Sequence, residues 1–136
     1  MDALNAWAPR IRSLLRIVVA LLFIEHGTMK MFHFPAPLMP GPLPPILVLA
    51  GWIELVGGVL ILLGLFTRAA AFVCSGETAV AYFIFHFPKG FWPALNMGGE
   101  AILFCWIFFY LIFAGAGPWS LDALLRKKPE QPRVAT

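Results

Sequence analysis

Four long apolar segments, each with one glutamate, constrain the fold more than any other feature of this sequence. The segments cover about 13–31, 45–66, 69–87 and 95–116. A helix of about 20 apolar residues matches the hydrocarbon thickness of a bilayer, which is about 30 Å. Only 12% of the residues are charged, about half the share of a soluble domain. We therefore predict an all-α, polytopic membrane protein, an antiparallel bundle of four transmembrane helices that forms one domain over residues 1–136.

Loop and turn signals separate these segments. Residues 31–45 contain six prolines, which exclude an ordinary helix, yet the segment is also rich in Phe, Leu and Met. We interpret it as an apolar flap that lies on the mouth of the bundle or in the membrane interface. A simple hairpin connection is the alternative. After the fourth segment, Ser120 is a candidate N-cap for a short C-terminal interfacial helix within a tail at 119–136.

The basic residues predict the orientation in the membrane. One side is expected to hold Arg10, Arg12, Arg16, Arg68, Arg126, Lys127, Lys128 and Arg133, and the other Lys30 and Lys89. An excess of Lys and Arg marks the cytoplasmic side. We therefore predict a multi-pass protein of a bacterial inner membrane with both termini cytoplasmic and the loops 31–45 and 88–94 outside. Because the bases lie at segment ends, we assign them to anionic lipid, Arg16 included, and predict no nucleic-acid partner.

Glu54 is the carboxylate with the clearest helical context. Gly51 and Gly58 share its helix face, since the three residues are spaced at i, i+3 and i+7. Small residues on such a face allow close approach of a neighbouring helix in lipid. Glu54 is therefore predicted to point towards the first segment, within reach of His26 or Lys30. A carboxylate inside an apolar span is a candidate functional group.

The glutamates of all four segments are predicted to converge on one funnel that opens outward. The candidate ligand- or proton-binding residues are Glu25, His26, Lys30, Glu54, Glu77 and Glu100. The candidate wall residues are Phe23, Trp52, Phe83 and Phe104. Three interpretations stay open: a structural seam of buried pairs and protonated glutamates, a pocket or proton relay for a small ligand or quinone headgroup, and a metal site. The metal site is disfavoured because the sequence lacks the Glu-x-x-His motif of di-iron bundles.

Cysteine placement and missing motifs limit the chemistry further. Cys74 and Cys105 both lie in apolar runs and form no CxxC motif, so buried, unreactive thiols are expected. A disulfide or redox pair is the alternative. No Ser-His-Asp arrangement, phosphate loop or dinucleotide fingerprint occurs, and no catalytic residue is assigned. Whether the chain is an enzyme stays open.

The chain resembles the DoxX family of small four-helix membrane proteins over about residues 16–126. The resemblance rests on these segments: Arg16 with Phe23, His26–Lys30, Gly51–Glu54 with Gly57 and Gly58, Leu63–Arg68, Gly99–Glu100, and Gly115–Asp122. It implies a subunit or accessory of a quinone- or thiol-linked membrane redox system, with oxidoreductase subunits as partners and a small lipophilic ligand, such as a quinone, in the glutamate-lined pocket. The alternative is a non-catalytic membrane scaffold or assembly factor.

Overall fold

A computed structural model describes residues 2–127, which form helices and contain no strand. The helices are α1 (Asp2–Phe32), α2 (Pro45–Leu63), α3 (Thr67–Ala81), α4 (Pro93–Asn96), α5 (Gly99–Ala114) and α6 (Leu121–Arg126). A π-helical turn and a 3₁₀ turn extend α3 without interruption as far as Lys89. The predicted all-α class is confirmed. The predictions for the tail beyond Lys127, including Lys128 and Arg133, concern residues outside the described range.

Two of these helical segments are long and apolar enough to cross a membrane, namely Pro45–Leu63 and Thr67–Lys89. A shorter apolar helix, Gly99–Ala114, follows them. Helix α1 is the longest, with 31 residues, and it begins well before the predicted first apolar segment.

The helices pack as two closely associated pairs, α1 with α2 and α3 with α5, and α2 joins the pairs through α3. Glycines make these contacts close. A Cβ atom added at Gly58 would lie 2.6 Å from Ile24 of α1, and one added at Gly51 would lie 2.8 Å from the Met31 sulfur. The predicted small-residue face of α2 is therefore confirmed as its contact with α1. Gly57 lies on a different face of α2 and meets Cys74 of α3.

An aromatic cluster joins the two helix pairs in the middle of the molecule. The Phe23 ring of α1 lies 5.3 Å from Phe104 and 4.7 Å from Phe108 of α5, between ring centroids. All three side chains are buried. Such tilted and edge-to-face contacts are favourable for aromatic rings, and they hold α1 against α5, where few other contacts exist.

Arg16 corrects one sequence-based assignment. The sequence predicts a contact with anionic lipid, but the Arg16 side chain is completely buried. Its Nε donates to the Ala116 carbonyl at 2.9 Å, and Nη1 donates to the carbonyls of Ile61 and Leu62 at 2.6 and 2.7 Å. Nη2 donates to the Trp119 carbonyl. Ile61 and Leu62 belong to the last turn of α2, whose carbonyls carry the negative end of the helix dipole. Ala116 and Trp119 lie between α5 and α6, so the buried guanidinium fastens α1 to both places.

Asp122 performs the complementary task at the start of α3. Its carboxylate accepts hydrogen bonds from the backbone N–H groups of Phe66 and Thr67 at 2.9 and 3.0 Å. Partial desolvation raises the pKa of Asp122, but the hydrogen bonds from Thr67 and Phe66 and the charge of Arg126 outweigh it and hold that pKa below its usual value. The Asp122 N–H also donates to the Gly64 carbonyl at 2.8 Å, so α6 is fastened to the α2–α3 turn.

The predicted N-cap of α6 is confirmed. The Ser120 hydroxyl oxygen accepts a hydrogen bond from the Ala123 N–H at 3.1 Å. Ser120 also contacts the turn after α2, since a Cβ atom at Gly64 would collide with it. Gly64 has a φ of 68°, which glycine adopts without steric cost. This turn, Arg16 and Asp122 together define what we call the Arg16 end of the molecule.

Candidate functional site

A cavity of about 710 Å³ lies between the two helix pairs, towards the end opposite Arg16. Apolar side chains form most of its wall, including Phe23, Phe104 and, from the proline-rich segment, Leu38. Its polar lining residues come from α1, α2, α5 and from α3 with its helical extension: His26, Lys30, Glu54, Glu77, Thr78, His86, Lys89 and Glu100. Apolar walls with a few polar groups are typical of sites for small molecules.

Lys30 and Glu54 form a buried ion pair on the cavity wall. The Lys30 Nζ lies 2.7 Å from each carboxylate oxygen of Glu54, and each side chain is 7% exposed. The prediction that Glu54 points at His26 or Lys30 of the first segment is confirmed for Lys30. The face that Gly51 and Gly58 form on α2 brings the helices close enough for this contact. Each charge compensates the other in an apolar surrounding.

Glu77 is a cavity carboxylate that forms no ion pair with any of residues 2–127. It lines the same cavity, and its Oε2 is buried without a hydrogen-bond partner among the described residues. Its helical neighbour Thr78 donates back to the carbonyls of Cys74 and Ser75, each at 3.0 Å. A buried polar atom without a hydrogen bond is costly. Glu77 therefore has the capacity to bind a hydrogen-bonding group that enters the cavity.

His26 and Glu100 form a second, more open pair that joins α1 to α5. The His26 Nε2 lies 3.1 Å from a Glu100 oxygen, with side chains 32% and 57% exposed. The His26 ring also packs edge-on against Phe104, with 5.6 Å between centroids. This pair lies where the cavity meets the surface, so a proton on His26 can exchange with water while the ring still borders the cavity.

His86 reaches the cavity from the π-helical turn Tyr82–His86. Its Nδ1 lies 3.0 Å from the Asn96 carbonyl. The Asn96 side chain is fully buried, donates to the Gly90 carbonyl and accepts from the Gly98 N–H, both at 2.8 Å. Asn96 therefore holds the 90–98 connection beside His86. We did not predict this role from the sequence, although Asn before Met-Gly-Gly is a turn signal.

Three predicted site residues lie away from the cavity. Glu25 is exposed, because adjacent residues point about 100° apart on a helix and His26 occupies the inward direction. Trp52 and Phe83 are 51% and 63% exposed and do not line the cavity. Ile53 takes the inward position on α2, and Phe85 and His86 take it on the π-helical turn. The other seven predicted residues line the cavity: Phe23, His26, Lys30, Glu54, Glu77, Glu100 and Phe104.

The described residues offer no group of three His, Cys, Asp or Glu side chains positioned to hold a metal ion. Cys74 and Cys105 are free thiols, the first buried and the second half-buried. The site can therefore supply hydrogen bonds, charge and proton exchange from its own side chains. Glu77 can form a hydrogen bond inside the cavity, and His26 can exchange a proton at its opening.

Comparison with known proteins places the chain in a family. The DoxX family model matches residues 11–87. An uncharacterized protein of Haemophilus influenzae is 46% identical, over 94% of this chain and 100% of the relative. An uncharacterized membrane protein of Mycobacterium tuberculosis is 30% identical over 92% and 87%, and the inner membrane protein YqjF of Escherichia coli is 32% identical over 83% and 90%. No solved structure matches. The chain therefore belongs to the DoxX family of membrane proteins.

Proposed function

We propose that this chain is a multi-pass protein of a bacterial inner membrane, built as an antiparallel bundle of four spans. The spans are the central part of α1, α2, α3 extended to Lys89, and α5. Helix α1 carries more charge than an ordinary span, but its Arg16 and Lys30 are buried and hydrogen-bonded within the protein. Charges that are satisfied inside a bundle do not face lipid, which supports α1 as a membrane-crossing helix.

We further propose that both termini are cytoplasmic. Two arginines do not count towards this orientation, because the protein itself binds their charges. Arg16 is buried, and Arg68 donates to the carbonyls of Ile112 and Phe113 at 2.8 and 2.7 Å. The Arg16 end still carries the exposed bases Arg10, Arg126 and Lys127. At the cavity end, Lys30 is paired with Glu54, and Lys89 is exposed. The remaining asymmetry favours the Arg16 end inside.

The cavity is proposed to bind a small lipophilic molecule with a polar headgroup. The observation that carries this proposal is Glu77, whose buried Oε2 has no hydrogen-bond partner among the described residues, in a cavity whose wall is mostly apolar. A protonated Glu77 would donate to a carbonyl oxygen of the ligand, and an ionised Glu77 would accept from a hydroxyl group. His26 would exchange the accompanying proton with water at the opening.

A quinone or quinol fits these requirements, and the chain would then serve as a subunit or accessory of a quinone-linked membrane redox system. Its partners would be membrane oxidoreductase subunits. A thiol-linked role has less support, because Cys74 is buried against Gly57 and both described cysteines are unpaired. The scaffold alternative is favoured by one specific observation, the complete pairing of Glu54 with Lys30, which is compatible with a purely structural role.

Titration of a short-chain quinone against the purified protein in nanodiscs tests this proposal. We expect saturable binding by the wild type and by the control Glu25→Gln, which changes an exposed carboxylate outside the cavity. Glu77→Leu should weaken binding about tenfold, since a hydrogen bond to a charged or strongly polar group contributes about 1.5 kcal/mol. Absence of saturable binding to the wild type would contradict the ligand-binding proposal and support the scaffold function. Unchanged affinity in Glu77→Leu would show that Glu77 does not bind the headgroup.

A further inference from the structure

The cavity has a second, apolar opening between α2 and α3. Ile46 and Leu49 of α2 and Val73 and Val80 of α3 line the cavity, yet they are 45%, 60%, 51% and 54% exposed. A residue that borders the cavity and also reaches the surface marks an opening. Because both helices are long and apolar enough to cross a membrane, this opening faces lipid. We call it the α2–α3 cleft.

Gly76 lies in the α3 wall of this cleft, on the same helix face as Val73 and Val80. A Cβ atom at Gly76 would meet no heavy atom within 4 Å. The glycines of α2 differ, since Cβ atoms at Gly51 and Gly58 would collide with α1. Glycine is a poor helix former, and Gly76 does not bring helices together. Its effect on the surface is to leave a notch in the edge of α3.

The notch connects the cavity to a second depression. An apolar groove of about 340 Å³ lies on the other side of α3, against α5. Val73 and Gly76 line both the groove and the cavity. The other groove residues include Phe72, Phe109 and Ile112, which suit an alkyl chain, and Ser75, whose hydroxyl already donates to the Cys105 carbonyl at 2.8 Å. A continuous path therefore runs from the polar groups of the cavity over Gly76 to an apolar surface in the bilayer.

We propose that the ligand of this site is a molecule with one long alkyl tail, whose tail leaves the cavity through the α2–α3 cleft over Gly76 and lies in the groove between α3 and α5. This inference rests on the proposed function, because the headgroup is bound in the cavity near Glu77. The ligand enters sideways from the membrane, and the polar opening at His26 and Glu100 serves protons and water. The path explains why Gly76 is a glycine although nothing packs against it.

The physical basis of selectivity is steric. The alkyl tail of an unbound ligand is already surrounded by lipid chains. Transfer of the tail from lipid to the groove therefore gives little hydrophobic free energy. What the cleft provides is room for the tail while the headgroup is seated. A large side chain at position 76 removes that room and leaves the cavity itself accessible from its polar opening.

The test compares a benzoquinone that bears a decyl tail with the same benzoquinone without a tail, in nanodiscs, with concentrations expressed per lipid. The variants are Gly76→Phe, the small step Gly76→Ala, and the control Val56→Phe, which enlarges a lipid-exposed residue of α2 outside the cavity. Gly76→Phe should weaken the tailed ligand about tenfold or more, equivalent to about 1.4 kcal/mol. The affinity for the tailless ligand should change by less than about twofold. Gly76→Ala and Val56→Phe should bind both ligands as the wild type does.

The outcomes separate this inference from the proposed function. Equal weakening of both ligands by Gly76→Phe, or no effect on either, would overturn the tail path while the pocket stands. Failure of the wild type to bind either ligand would overturn the pocket and the path together. If Gly76→Phe does not fold, Val80→Trp narrows the same cleft from the same helix, and the same selective loss is expected of it.

Discussion

The buried pair of Lys30 and Glu54 should behave as one energetic unit. With Nζ 2.7 Å from both carboxylate oxygens and each side chain 7% exposed, removal of one partner leaves an uncompensated charge in an apolar wall. Loss of one member of a buried pair typically costs about 3–5 kcal/mol. Because the pair borders a cavity that water can enter, we expect about 3 kcal/mol for Glu54→Leu and for Lys30→Met.

The double variant should be no less stable than either single variant. Replacing a whole buried pair by apolar residues is often neutral or stabilising, since both desolvation costs disappear together. A double-mutant cycle should therefore give a coupling free energy of at least about 3 kcal/mol. The measurement is reversible unfolding in mixed detergent micelles, followed by circular dichroism. The control is Glu100→Gln, which breaks the exposed His26 pair and should cost less than about 1 kcal/mol.

Two results would refute this reasoning. If the losses in free energy of unfolding of the two single variants add up in the double variant, Lys30 and Glu54 are compensated by other groups and not by each other. A wild-type stability in Glu54→Leu would mean that water in the cavity solvates the lysine well enough to replace the carboxylate. In either case the buried pair would not hold α1 against α2.

Arg16→Met should destabilise the protein by about 3 kcal/mol or more, because hydrogen bonds to charged groups contribute about 1.5–3 kcal/mol each. The same unfolding assay measures this loss. A loss below about 1 kcal/mol would contradict the role of Arg16 in binding these carbonyls. Asp122 has a lowered folded-state pKa, so its stabilisation is present above the unfolded pKa of about 3.9 and disappears as the pH falls through the folded value. Asp122→Asn should therefore lower stability at neutral pH and match the wild type in strong acid; a difference that is independent of pH would refute this. For topology, Ala36→Cys should react with an impermeant maleimide on intact cells and Lys127→Cys only after lysis, and the reverse pattern would invert the orientation.

Several features were predictable because they depend on local sequence. Helix α6 begins after the predicted Ser120 cap, because a serine hydroxyl can satisfy a backbone N–H in the first turn. Helix α2, in contrast, ends at Leu63, before the predicted end of the second segment at 66. The spacing of Gly51, Glu54 and Gly58 identified the face of α2 that meets α1, since helical periodicity fixes which residues share a face. The same spacing led to the correct partner class for Glu54, a basic group on the first apolar segment.

The composition also predicted that the protein lies in a membrane, because a chain with 60% hydrophobic and 12% charged residues lacks the charged surface of a soluble domain. It did not determine where individual charges go. Arg16 and Arg10 look alike in sequence, yet Arg10 donates to Ala6 of its own helix, whereas Arg16 donates to backbone carbonyls 45 to 103 positions later in the chain.

The interior of the site was decided by tertiary structure. Glu25 and His26 are neighbours in sequence, and only the position of α5 shows which of them turns to the cavity and which turns away. That Gly76 borders both the cavity and the groove is visible only in the tertiary structure. Sequence periodicity fixes directions within one helix, whereas a cavity exists only between helices whose relative positions depend on contacts far apart in the chain.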